Sequence, residues 1–185
     1  TLRDVTFRNR CFVSPMCQYS AEADGVPRDW HLVHLGKFAV GGAGLVMTEA
    51  TAVTPEGRLS PGDTGLWHDD QALAWKRITR FIREQGALSG VQLVHAGRKG
   101  STTPPWEGET HIPVEIGGWE TVGPSEIAFG RLPAPRALDE NGIRSVVADF
   151  RDAARRALEA DFDVIEMHAA HGYLVHQFLS PISNV

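Results

Sequence analysis

The stretch DVIEMHAAHGYLVHQFLSP, residues 163–181, runs from an apolar pair, Val164 and Ile165, through Glu166 and Met167 into His168, His171, Gly172 and Tyr173. Residue types at this spacing suit more than one chemistry. Two imidazole N–H groups aimed at one oxygen stabilise negative charge developing on it, as an oxyanion hole does, and a nearby phenol can deliver a proton. Gly172 lets the backbone turn so that His171 and Tyr173 address one cavity. Alternatively His168 and His171, with His176 beyond, offer ligands for the zinc of a hydrolase. The plainest reading is polar residues at a loop start. Glu49 and Glu166 also raise the carboxylate pair of a glycosidase. Glu166 lies two residues before His168 and shares its face of a strand, and its role stays open.

Four segments are expected to position these residues. CFVSPMCQYS (11–20), AGLVMTEA (43–50), GVQLVHAGRKG (90–100) and FDVIEMHAAHG (162–172) each pass from a small apolar run into polar residues. Short apolar runs bounded by Gly and Pro suit buried parallel strands. Helical patterns separate them. One covers Trp30 to Val40 with Asp29 as its cap; a second follows Asp69 or Asp70 as N-cap, with Leu73, Ile78, Phe81 and Ile82 inward and Gly86 at its end. A third follows Asp139, with Ile143, Val146, Val147, Phe150, Ala154, Ala157 and Leu158 on one face. Repeated βα units imply a parallel sheet with helical crossovers, either doubly wound or part of a (β/α)8 barrel. No G-x-G-x-x-G follows the first strand, as a dinucleotide-binding fold would require. Instead Cys17, Glu49, Gln92, His95 and His168 gather at strand C-termini, where barrels keep their chemistry. The fold class expected is α/β, a TIM (β/α)8 barrel, of which the chain supplies the first four βα units. Residues 97–138 are too long for a structureless loop and are expected to form an inserted loop subdomain over the strand ends, with Trp106 and Trp119 packing it.

The chain has 185 residues, a formal charge of −5 and a 42% hydrophobic fraction. That balance suits one globular domain, and the acidic charge argues against nucleic-acid or anionic-membrane partners. No apolar run approaches the ~20 residues that cross a bilayer. TLRDVTFRNR lacks the apolar core of a signal peptide, and Cys11 and Cys17 do not read as a disulfide framework, so a cytoplasmic setting is expected.

SPMCQYS, LVMTEATAVTPEGR, VQLVHAGRKG and IEMHAAHGYLVHQFLSPISN, in this order and at this spacing, resemble the old yellow enzyme family of flavin-dependent ene-reductases. More narrowly, they resemble its bacterial xenobiotic-reductase-like branch, across essentially the whole chain. The resemblance implies a non-covalent FMN on the barrel mouth, with NADPH or NADH as reductant. It implies that Ser14, Pro15, Met16 and Cys17 lie along the flavin, and that Ala50 and Gln92 contact its ring. It casts His168 and His171 as the pair that grips a substrate carbonyl oxygen, Tyr173 as proton donor and Tyr19 as a second substrate-pocket tyrosine. The chemistry agrees: hydride addition to the β-carbon of an enone builds charge on that oxygen, and a proton must then reach the α-carbon. No metal is expected. Zinc hydrolases of barrel fold usually open with His-x-His where this chain has Met16-Cys17-Gln18, and His31 and His34 fall on a helix in a surface or packing role.

Residues 1–185 are thus expected to form the N-terminal half of one flavin-binding barrel domain, inactive alone, acting on a small molecule and oligomeric with itself when complete. The family continues beyond LSPISNV with an arginine and an Asp-Tyr-Gly-Gly-like stretch. Two rivals stand beside this reading: a non-catalytic half-barrel that needs a second chain, and a metal-dependent barrel hydrolase.

Overall fold

A computed structural model describes residues 1–185. The elements run β1 (Phe12–Val13), α1 (Asp29–Val40), β2 (Leu45–Ala52), α2 (Asp69–Glu84), β3 (Leu88–Val94), β4 (Val122–Gly123), β5 (Arg136–Ala137), α3 (Glu140–Glu159), β6 (Val164–Met167) and α4 (Leu174–Leu179). The main sheet has the order β1-β2-β3-β6, every pair parallel. Helices α1, α2 and α3 supply the crossovers that parallel pairing demands. One core joins them to the sheet: Val46, Val91 and Leu93 from the strands meet Leu35, Ala39, Trp75, Ile78, Ile82 and Ala157 from the helices. Trp75 is fully buried, edge-on to Phe162 and His31.

The strand expected over 11–20 pairs only at Phe12–Val13. Pro15 has no N–H for a ladder, so Ser14 to Cys17 run beyond the sheet. Strand β2 carries an extra residue: Met47 pairs with Gly90, yet Ala50 pairs with Gln92. This bulge, sealed by the Thr48 and Thr51 hydroxyls on the Glu49 carbonyl, re-aims Glu49 and sets Ala50 beside Gln92.

The expected caps differ by one residue. Asp29 and Asp69 are the first residues of their helices, and Arg28 and His68 occupy the N-cap positions. The Nδ1 of His31 accepts the Arg28 N–H, and the Gln71 side chain accepts the His68 N–H. Asp139 caps α3 as expected, accepting the Gly142 N–H at 2.7 Å. Leu73 does not face inward: it is 70% exposed, on the outer side of α2. Val147 and Leu158 likewise lie open on α3, and Ile165 and Met167 lie open on β6.

Residues 97–138 carry three short 3-10 turns and the small parallel pair β4–β5. This segment is stitched to the sheet by α4: Gln177, 1% exposed, donates to Ala96 O and Gly172 O and accepts the Arg98 N–H. No helix is long and apolar enough to cross a membrane.

Candidate functional site

The loops after β1, β2, β3 and β6 meet at the C-terminal end of the sheet. Two backbone hydrogen bonds place the histidine segment there: His168 N–H to Leu93 O and Leu174 N–H to His95 O, both 2.9 Å. His171 and Gly172 both have positive φ, 56° and 75°. The turn therefore needs glycine at one position and is strained at the other. Lys99 secures it by donating from Nζ to His171 O at 3.0 Å.

His168 is buried and His171 exposed. The Nδ1 of His168 accepts the Ala170 N–H, and its Nε2 lies 3.2 Å from His171 Nδ1. The hydrogen-bond pattern assigns the His168 proton to Nε2 and, in turn, the His171 proton to its own Nε2. Burial, then the neighbouring His171, lowers the His168 pKa, which favours a neutral N–H donor. Tyr173 stands edge-on to both rings, 4.9 Å from His168 and 6.4 Å from His171 between centroids. Burial, with smaller contributions from the neighbouring Cys17 and Asp63, pushes its phenol up to about 12, so the group keeps a proton to give at neutral pH. His176, the third histidine of the zinc reading, is engaged elsewhere, accepting the Gly172 N–H on Nδ1 at 2.7 Å.

Across the site, burial raises the Cys17 thiol to about 12, with Asp63 and Glu49 adding to it, so Cys17 is a neutral thiol. Tyr19 has a positive φ of 51° and packs edge-on against Trp106 at 5.3 Å. Its phenol is also raised, by burial first and then Cys17. The loop reaches this position because Gly62 offers no side chain: a Cβ there would lie 2.8 Å from Tyr19 O. Ala50 is buried, while Ser14 and Met16 are exposed and Pro15 half-buried. Gln92 donates from Nε2 to Glu166 Oε1 at 2.6 Å. Glu166 thereby has a place: it orients the Gln92 amide.

Glu49 does not line this site. Its Oε2 accepts the Gln18 N–H at 2.9 Å and its Oε1 faces His31 Nε2 at 3.2 Å, both side chains almost fully buried. Glu49 and Glu166 are therefore no glycosidase pair, and His31 is a core residue that ties α1 to the loop carrying Cys17. His95 is buried, its Nδ1 accepting the Gly97 N–H, and desolvation lowers it to about 4. It is a structural neutral imidazole.

Sequence reasoning missed Gln177, Lys99 and Asp63. The last accepts the Leu59 and Ser60 N–H groups and braces the loop after β2. GRLSPGD holds the signal for it, an Asp three residues after Ser60 in a Pro-Gly turn. Nothing local marks Gln177 or Lys99, whose partners lie across the fold.

With the geometry in hand, known proteins give it context. An NADH:flavin oxidoreductase of Gibberella zeae is 52% identical over 189 residues, spanning 100% of this chain and 46% of the relative. An NADPH dehydrogenase of Listeria innocua is 51% identical over 185 residues, spanning 99% of this chain and 50% of the relative. Among solved structures, morphinone reductase superposes with a TM-score of 0.84 at 30% identity, covering 98% of this chain and 49% of that one. The old yellow enzyme homologue from Zymomonas mobilis gives 0.81 at 31% identity, over 98% and 50% respectively. The chain thus spans about half the length of the relatives it matches, and its four parallel strands are part of an old-yellow-enzyme (β/α)8 barrel. A family model matches residues 1–185 from end to end, and the chain belongs to the NADH:flavin oxidoreductase / NADH oxidase family.

Proposed function

We propose that the complete protein is an FMN-dependent ene-reductase. It passes hydride from NADPH or NADH through FMN to the β-carbon of α,β-unsaturated carbonyl compounds or related electrophiles. The observation that carries this reading is the convergence of His168, His171 and Tyr173 within 6.4 Å of one another at the sheet's C-terminal end.

The residues present fit a flat, heteroatom-edged ring. Ala50 reaches the strand end with only a methyl group, and Gln92 Oε1 beside it carries no protein hydrogen bond. Ser14, Pro15, Met16 and Cys17, free of the ladder, offer backbone and side chain along the same edge. These six would hold the flavin, which supplies the electron chemistry when bound. His168 and His171 hold the substrate oxygen: the incoming oxygen takes the Nε2–H that His168 now directs at His171. Tyr173 gives the proton, and Tyr19 with Trp106 walls the cavity opposite.

We read residues 1–185 as the N-terminal half of a single barrel domain, with 97–138 an inserted loop subdomain. Ile165 and Met167 on the open side of β6 are read as covered by further βα units, on the same or a second chain, and the complete protein as a cytoplasmic homo-oligomer. The test uses full-length, FMN-loaded protein. Bleaching of the flavin by NADPH should be followed by reoxidation with 2-cyclohexenone under anaerobic conditions. Tyr173→Phe should slow reoxidation more than bleaching, and His168→Ala should weaken phenol binding by about tenfold or more. Reduced flavin that cyclohexenone does not reoxidise would overturn the assignment.

A further inference from the structure

Beside Tyr173 lies a cavity of about 350 Å³ that the reaction just described does not account for. Its lining includes Lys99 from the loop after β3, Glu109 and Thr102 from the inserted segment, and Phe129 and Arg131 from the turn before β5. The volume suits a small ligand or a substituent of one.

Its charges are unbalanced and unspent. Lys99 Nζ sits 4.8 Å from the Phe129 ring centroid and 4.8 Å from that of Tyr173. Its only side-chain hydrogen bond goes to His171 O, and an ammonium carries three donors. No carboxylate lies within ion-pair distance of it, although eleven Lys/Arg–carboxylate pairs form elsewhere on the molecule. Arg131, on the same lining, makes no ion pair either and presents a guanidinium fork suited to a carboxylate or phosphate. Glu109 is the one acid present, so the lining holds two cations against one anion. Burial lowers the Lys99 pKa, and Glu109 offsets that only in part while Arg98 adds to it.

From this arrangement we infer that the cavity is an anion subsite: Lys99 and Arg131 bind an anionic oxygen group of the molecule that enters beside Tyr173, while Phe129 packs on its carbon frame. The inference rests on the proposed ene-reductase reading and narrows its substrates. Two sources share this chemistry, a carboxylate on the electron acceptor and a phosphate of the nicotinamide donor.

Two arms on the full-length flavoprotein separate them. The first titrates flavin absorbance with 4-hydroxybenzoate and with its neutral methyl ester, which needs no turnover. The wild type should prefer the acid. Lys99→Met and Arg131→Met should each erase about tenfold of that preference, Lys99→Arg should keep it, and Glu109→Gln should enlarge it. The second arm compares the dissociation constant of NADPH with that of 1-methyl-1,4-dihydronicotinamide, which lacks phosphates; a tenfold loss for NADPH alone assigns the site to the donor. Arg131 stands on an exposed turn, so its variant reports even if Lys99→Met disturbs the His171 turn. Equal binding of acid and ester by the wild type, with no selective loss of NADPH in either variant, overturns the subsite. Failure of cyclohexenone turnover would leave both titrations interpretable and would count against the ene-reductase reading alone.

Discussion

Strands β2 and β3 and strand β6 belong to one sheet but live in different surroundings. Every residue of β2 and all but the first of β3 are buried, between α1, α2 and α3 on one face and neighbouring strands at both edges. In β6 only Val164 is even half-buried, and Met167 is 58% exposed. The composition of the strands does not explain this, since VIEM is as apolar as LVMT. Burial here is a property of what stands beside a strand, and β6 has a neighbour on one side only.

The largest effects should fall on the covered side. Trp75→Ala should cost about 3–5 kcal/mol, by lost transfer energy and the cavity left against Phe162 and His31. Met167→Ala in residues 1–185 should cost less than about 0.5 kcal/mol, as for an exposed side chain. In full-length protein the same change should cost about 2 kcal/mol or more if further βα units cover β6. Chemical denaturation of both lengths measures the contrast, and equal Met167→Ala costs in the two would show that β6 stays open.

The histidines that follow the two kinds of strand sharpen it through pH. His95, beyond covered β3, is lowered to about 4. The unfolded chain therefore binds more protons between that value and about 6.5, so this contribution grows with pH and is lost as pH falls towards 4. Asp63 acts with the opposite sign. Its buried carboxyl is raised to about 7, so its contribution is full below the unfolded carboxylate range and is lost as pH rises through 7. The two offset between about pH 4 and 6.5, so their summed contribution should change little there. His95→Asn should leave a curve that falls with rising pH, and Asp63→Asn one that rises, by up to about 3 kcal/mol across the window. In the NMR titration of the imidazoles, His168 should gain its proton at a higher pH than His95. Smallest of all, Leu73→Gln on the outer face of α2 should move stability by no more than about 0.5 kcal/mol.

The contrast also marks where sequence reasoning ran out. The order of βα units was legible because each strand is a short apolar run and each crossover a 3.6-residue pattern. The proposed site stood out because its residues follow those runs directly. What escaped was decided by partners distant in sequence. Leu73 is the exception: it stands about 160° around the helix from Trp75, opposite the buried stripe of Ala72, Trp75, Ile78 and Ile82, so its apolar type and not its place on the wheel suggested burial. The Glu49–His31 pair required both the β2 bulge and the first turn of α1, neither of which has a local signature. The hydrogen bond between His168 and His171 depends on a positive φ at a non-glycine residue, which the sequence gives no reason to expect.

The sequential strand order β1-β2-β3-β6 also bears on synthesis at the ribosome. Each strand of the main sheet finds its partner in the main-sheet strand that precedes it, so the sheet can extend from one edge as the chain emerges. At about 5–20 residues per second the first three strands are complete for several seconds before β6 is made. Until then β3 is the growing edge, lined by Val91 and Leu93 before α3 has been made to cover them. The long inserted segment is translated in that interval, so its length sets how long the nascent sheet waits with an apolar edge unpaired. Shortening residues 97–138 would change the timing of assembly as well as the shape of the cavity mouth.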